Sequence, residues 1–212
     1  IKLFFIIYFI LKHDIQILHL NNSVFVGLEW VLAAKMTGRK IIAHHRVHMV
    51  EVPKYIQYHH ILFDHVLGVS ESTREYLFRR GIAINKYATF YDRINLDKFY
   101  AGFNRNATYM RAEFHVVEHQ PLIGIVGNIQ RWKGQMTVVD AVHLLKEKYP
   151  DLKCLMIGDV SDKTMDDIKF HEELKAQIKA YQLEDDVILT GHINDIANIL
   201  NALDVFIHAS ID

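Results

Sequence analysis

Short apolar, β-rich runs alternate with longer amphipathic ones along most of this chain, and that alternation restricts its fold more than any other feature. The strand candidates are residues 15–20, 40–44, 65–69, 86–90, 122–126, 152–157, 187–190 and 205–208. Helical patterns fall between them at 24–37, 53–63, 72–80, 134–149, 165–181 and 196–202. Several strand runs are almost wholly apolar, which suits strands covered on both faces. Strand–helix alternation of this kind predicts parallel sheets joined by right-handed crossovers. Boundary residues agree: Ser70 and Asp195 are placed to cap helices, and Pro150 follows the helical run at 134–149, which it cannot continue.

The alternation is interrupted once. Residues 95–120, NLDKFYAGFNRNATYMRAEFHVVEHQ, are polar and show no strand pattern, with room for one short helix at 107–114. This stretch reads as a connection between two α/β domains, 1–103 and 104–212. A length of 212 residues accommodates two modest domains, and a chain that is half hydrophobic and 23% charged can bury their cores. Net charge is −1, so there is no basic excess of the kind that general nucleic-acid binding requires. The single cysteine, Cys154, excludes an intrachain disulfide and suits a reducing cytoplasm. The opening run KLFFIIYFILKH is shorter than the roughly 20 residues of a spanning helix. It is read as a core-facing helix whose preceding strands lie outside this chain, with contact to a membrane surface as the second reading.

The most informative local segment is 121–134, PLIGIVGNIQRWKG. An apolar strand reaches Gly127, a short polar loop follows, and Lys133-Gly134 opens a helix. Backbone N–H groups and the positive end of a helix dipole then face whatever lies beyond the strand, which makes an anion site. Lys133 and Arg131 add cationic side chains, so a phosphate or diphosphate is the expected ligand. Lys133 is equally readable as a solvated lysine beside an ordinary strand-turn glycine. The spacing is neither GxxxxGK[ST] nor GxGxxG. Two further strands end in glycine, at Gly158 and Gly191, and ligands of open parallel sheets sit beyond the carboxyl ends of the strands. Three such ends predict a nucleotide-sized cleft. His192, after Gly191, is placed to stack on or bond a base, or else is an exposed loop residue.

His44, His45 and His48 follow a strand of the first half. They are open to three readings: substrate contact, a structural role, or a metal site, the last weakened by the lack of a nearby cysteine and by Glu51 being the nearest carboxylate. Acidic residues are dispersed, with no carboxylate pair suited to glycoside hydrolysis and no GxSxG elbow.

With these segments placed, the chain resembles the family-4 retaining glycosyltransferases of the GT-B fold. In the first half the resemblance is carried by DIQILHLNN, GRKIIAHHR, HVLGVSESTREYLFRRGI and YDRINLDKF; in the second by IGIVGNIQRWKGQMTVVDAVHLL, LKCLMIGD and VILTGHINDIANILNALDVFIHAS. The resemblance implies two Rossmann-like, doubly wound parallel-sheet domains in a GT-B architecture, both incomplete in this chain. It implies transfer of a sugar from a nucleotide-diphosphate-sugar donor to a glycan or lipid-linked acceptor with retention of configuration. By the same resemblance Lys133 binds the diphosphate with Gly127, Asn128, Arg131, Gly134, Gly158 and Ser210 around the donor, Gly191, His192 and Ile193 contact the base, and His44 or His45 lies near the reacting sugar. No metal or other cofactor is implied. A cytoplasmic protein at the inner face of the membrane, active in polysaccharide biosynthesis, fits this reading.

Two departures stand out. Many members carry Arg directly after the Val-Gly, where this chain has Asn128, and Arg131 is the candidate to replace its charge. The family's glutamate pair would begin after Asp212, so the 212 residues alone are expected to be inactive. An epimerase or phosphorylase of the same fold, and a non-catalytic nucleotide-binding module, are the alternatives.

Overall fold

The computed structural model describes residues 2–47, 59–81, 87–99, 105–160 and 164–211. They form two units, Ile1–Ile94 and Asn95–Asp212, each on its own four-stranded parallel sheet. The domain boundary expected between residues 103 and 104 lies outside the described residues, as do His48, Glu51, and residues 53–58 of the helix expected at 53–63.

The first unit runs α1 (Lys2–Lys12), β1 (Ile17–Leu20), α2 (Leu28–Met36), β2 (Lys40–His45), a 3-10 turn at His59–Leu62, β3 (His65–Gly68), α3 (Glu71–Arg79) and β4 (Tyr87–Thr89). The sheet order is β1-β2-β3-β4, so each strand lies beside the one before it in sequence. Successive right-handed crossovers that always advance in one direction carry their helices to one face. The core shows this: Leu18, Ile41, Ala43 and Val66 are buried together with Ile6, Ile10, Val31, Ala34 and Leu77 of the helices. On the opposite face Ile17 and His19 are exposed and Ile42 and Leu67 only half-buried. Among the described residues this second face is only partly covered, with His44 buried near the carboxyl end of β2. Asp64 ties the arrangement at its base. It accepts from the Ile41 N–H at 2.8 Å and pairs with Lys35 of α2 and Lys40 of β2 at 3.1 and 3.2 Å.

The second unit runs α4 (Arg105–Glu113), β5 (Leu122–Val126), a 3-10 turn at Arg131–Lys133, α5 (Gln135–Leu145), β6 (Lys153–Ile157), α6 (Met165–Ala180), β7 (Val187–Gly191), α7 (Ile196–Ala202) and β8 (Val205–Ile207). Here the order is β7-β6-β5-β8. The chain advances from β5 to β7, then returns past β5 to place β8 on its other side. The reversal sends α7 to the face opposite α5 and α6. Two cores follow. Ile123, Ile125, Cys154 and Met156 pack under α5 and α6, while Leu122, Leu155 and Ile157 pack under α4 and α7. Alternate residues of β5 and β6 thus serve opposite cores, which is why both strands read as unbroken apolar runs. Burying each of these side chains contributes roughly 1.5–3 kcal/mol. Gly124, inside β5, leaves room for Leu203, whose δ-carbons would lie 2.8 Å from any Cβ there.

Both expected caps form. Ser70 accepts from the Thr73 N–H at 3.1 Å and Asp195 from the Asn198 N–H at 3.4 Å. The expected ends of the other elements shift by a few residues. The helix expected from residue 24 starts at Leu28, after Gly27 in the left-handed conformation, and that expected at 134–149 ends at Leu145.

Candidate functional site

The reversal of strand order between β5 and β8 is a topological switch point. In open α/β sheets the crevice beyond the strand ends at such a point is where ligands bind. The loop leaving β5 (127–134) and the loop leaving β8 (208–211) meet there. Gly134 has φ 77, and a Cβ on it would stand 2.7 Å from the Ala209 carbonyl carbon and 3.0 Å from its Cβ. Only glycine permits both the backbone angle and the approach. The two loops are also joined by the Ile211 N–H, which donates to the Trp132 carbonyl at 2.8 Å.

Lys133 folds back across the strand end. Its Cδ and Cε would lie 3.5 and 3.6 Å from a Cβ on Gly127, and its ammonium sits 4.0 Å from the centre of the Trp132 ring. The helix behind it, α5, starts at Gln135, and among the described residues no side chain caps that end. Its first-turn N–H groups remain directed at the crevice, beside a half-buried lysine. Asn128 is exposed, and its carbonyl is held from below by the Gln135 Nε2 donor at 2.9 Å. Gln135 is 1% exposed. Its Oε1 and the Ser210 Oγ are buried without a hydrogen-bond partner among the described residues, so two polar atoms flank Gly134 unsatisfied. Buried polar atoms of this kind are rare in folded proteins unless a ligand or water completes them.

The other glycine-ended strands join this site through backbone. The Gly127 N–H donates to the Ile157 carbonyl at 2.8 Å and the Gly158 N–H to the Gly191 carbonyl at 2.9 Å. Gly158 is needed for close approach, since a Cβ there would be 2.6 Å from the Gly127 carbonyl carbon. Gly191 has open space where its Cβ would be. His192 is exposed and its Nε2 lies 3.1 Å from Asn194 Oδ1, while Ile193 packs against the α4/α7 core. These three residues lie at the β7 end, two strands from Lys133.

Arg131 does not add its charge to the crevice in the way its position suggests. Its Nη2 donates to Glu173 of α6 at 2.9 Å, with Asp166 at 3.8 Å, and its guanidinium lies 4.9 Å from the Phe170 ring centre. The Glu173 hydrogen bond raises its pKa further above the ordinary value. The residue that sequence reasoning missed here is Gln135, whose only local signal is its place directly after Lys133-Gly134.

In the first unit, adjacent His44 and His45 point to opposite faces of β2, as strand alternation requires. His45 is fully buried. Its Nδ1 accepts from the Val24 N–H at 3.2 Å, and its ring stacks on Tyr76 and meets Phe25 edge-on. His44 lies beside His19 and Phe90, with Nε2 3.1 Å from the Phe90 carbonyl and Nδ1 3.3 Å from Arg46 Nη2. Arg46, also unrecognised in the sequence, reaches Asn21 and Asp92 as well. That hydrogen bond, first among the causes, lowers the Asp92 pKa. Among the described residues no group of three or more His, Cys, Asp or Glu side chains could hold a metal ion, and no helix is long and apolar enough to cross a membrane.

Comparison with known proteins agrees with this architecture. The chain superposes on the crystal structure of a glycosyltransferase from Rickettsia africae with TM-score 0.83 and 25% identity, covering all of this chain and 55% of that one. It superposes on Anabaena Alr3699/HepE in complex with UDP with TM-score 0.82 and 17% identity, covering 99% and 57%. The sucrose-phosphate synthase of Thermosynechococcus elongatus gives TM-score 0.71 and 19% identity, covering 97% and 54%. The chain thus spans little more than half the length of these structures. No curated protein sequence matches it. Residues 108–212 match the family model of Glycosyl transferases group 1, and it is over this domain, which holds the switch-point site, that the chain is similar to that family.

Proposed function

We propose that this chain carries part of the acceptor-side domain and part of the nucleotide-sugar donor-binding domain of a retaining glycosyltransferase, which moves a sugar from a nucleotide-diphosphate-sugar donor to a glycan or lipid-linked acceptor. The observation that carries the reading is the pairing, at the switch point of the second unit, of Lys133 with an uncapped helix N-terminus. A diphosphate leaving group gains negative charge as its bond to the sugar breaks. Fixed donors and a cation aimed at that charge lower the barrier because they need no reorganisation during the reaction. Lys133 supplies the cation, the first turn of α5 supplies N–H donors, and Gly127 and Gly134 let the phosphate approach the backbone. These groups do the work that a divalent metal does elsewhere, so the reading requires none.

The likeness to a structure solved with UDP supports a uridine nucleotide as the first donor to try. Of the two histidines, His44 is on the face that carries exposed His19, whereas His45 is enclosed by aromatic rings. A cytoplasmic site at the inner face of the membrane, within polysaccharide biosynthesis, is part of the same proposal.

The test is to incubate the complete protein with a panel of nucleotide sugars and acceptors, following nucleoside diphosphate release and the anomeric configuration of the product by NMR. Release of diphosphate with retained configuration is expected. Inversion, or no turnover or binding of any nucleotide sugar, contradicts the proposal.

A further inference from the structure

We propose that Arg46 is a positioning residue which clamps the carboxyl edge of the first unit's sheet and fixes His44 in its Nε2–H tautomer. Each part of the guanidinium is used. Nε donates to Asn21 Oδ1 at 3.0 Å, Nη1 to Asp92 Oδ2 at 2.6 Å, and Nη2 to His44 Nδ1 at 3.3 Å. The main chain joins in, since the Arg46 N–H donates to the Asn22 carbonyl at 2.9 Å. One side chain thereby ties together the loop after β1, the end of β2 and the segment after β4.

The arrangement dictates the state of the imidazole. An arginine has five N–H donors and no acceptor, so the nitrogen facing it must carry a lone pair. His44 Nδ1 is therefore unprotonated and Nε2 carries the hydrogen, which it donates to the Phe90 carbonyl. Both ring nitrogens are committed to protein partners, and protonation at Nδ1 would turn an attraction to Arg46 into a repulsion between two cations. The groups facing this ring are Arg46, Phe90 and His19, with Asp92 beyond the guanidinium. The ring itself is buried, 3% exposed. The exposed His19 ring stands over it at 6.0 Å, nearly parallel, so the clamp holds in place the platform on which His19 rests. Its part in sugar transfer rests on the glycosyltransferase reading; the tautomer does not.

The experiment uses the complete protein labelled with ¹⁵N-histidine. Two-bond ¹H–¹⁵N correlations report the tautomer of each ring, with the His44 signals identified by their loss in His44→Gln. At pH 8 the wild type is expected to show His44 solely as the Nε2–H tautomer. Arg46→Met should release it into a mixture of the two tautomers. Asp92→Asn keeps the arginine but frees one arm, and should give partial release should Arg46→Met not fold. In turnover assays Arg46→Lys should lower kcat about tenfold while donor KM stays within about twofold. A His44 that is Nδ1–H in the wild type, or whose tautomer is the same in a folded Arg46→Met or Asp92→Asn protein, overturns the proposal. Failure of the complete protein to bind nucleotide sugars would count against the transferase reading alone, and the tautomer spectra would still decide the clamp.

Discussion

Gly134 and Ala209, 75 residues apart in sequence, are in such close contact that the first has no room for a side chain: a Cβ on Gly134 would lie 2.7 Å from the carbonyl carbon of Ala209. This contact seals the floor of the switch-point crevice, because it fixes the start of α5 against the loop that follows β8. Gly134→Ala must both strain a backbone at φ 77 and push residues 209–211 away. The left-handed conformation alone costs an L-residue about 1–2 kcal/mol, and the displacement adds to it. Urea unfolding of the second unit should show a loss of at least that size, together with weaker nucleotide binding under conditions where the variant is still folded.

Arg131 makes the opposite prediction. Its guanidinium is half exposed and paired with Glu173. Exposed pairs of this kind add little to stability, so Arg131→Ala should leave the unfolding midpoint nearly unchanged. Because its charge is already engaged with α6, nucleotide-sugar affinity measured by calorimetry should move by less than about twofold.

Asp64 carries a pH dependence. Burial tends to raise its pKa, but hydrogen bonds from the Ile41 N–H, Lys35 and Lys40 together outweigh this and bring it from 3.8 to about 2. A carboxyl whose folded pKa lies below its unfolded one stabilises the fold above pH 4, and the contribution fades as pH falls from there toward 2. Asp64→Asn should therefore destabilise the first unit at pH 7 by on the order of 1 kcal/mol once solvent screening is allowed for. The gap between variant and wild type should shrink at pH 3. Equal destabilisation at both values would contradict the assignment.

Cys154 offers a simple probe of the second core. Burial pushes its thiol up to about 12, and the thiolate is the reactive form. Thiol reagents at pH 8 should leave the native protein unlabelled and modify it at the rate at which the unit opens. Rapid labelling without denaturant would show that β6 is less protected than its place between two helical layers implies.

The sequence made most of the framework legible, since β5, β6 and their helices bury apolar runs whose length and spacing admit little else. The strand-turn-helix at 122–135 was legible too, because a glycine at a strand end followed by Lys-Gly at a helix start is a local pattern. Contacts between distant segments were not. Arg131 lies beside Lys133 in sequence, yet Glu173, 42 residues on, takes its charge. Arg46 gains its meaning from Asn21 and Asp92, and no window of sequence contains all three. Which strand residues of the first sheet are buried was likewise hidden, because that depends on strand order, and Ile17 and Ile42 look like core residues until that order is known.

The central claim is that Lys133 and the start of α5 hold a donor diphosphate, and calorimetric titration of the complete protein with UDP-glucose and other nucleotide sugars tests it most directly. Lys133→Ala should weaken the binding of whichever donor is taken by at least about tenfold, ~1.4 kcal/mol, with the unfolding midpoint of the protein unchanged. Equal affinity in the variant and the wild type would contradict the account.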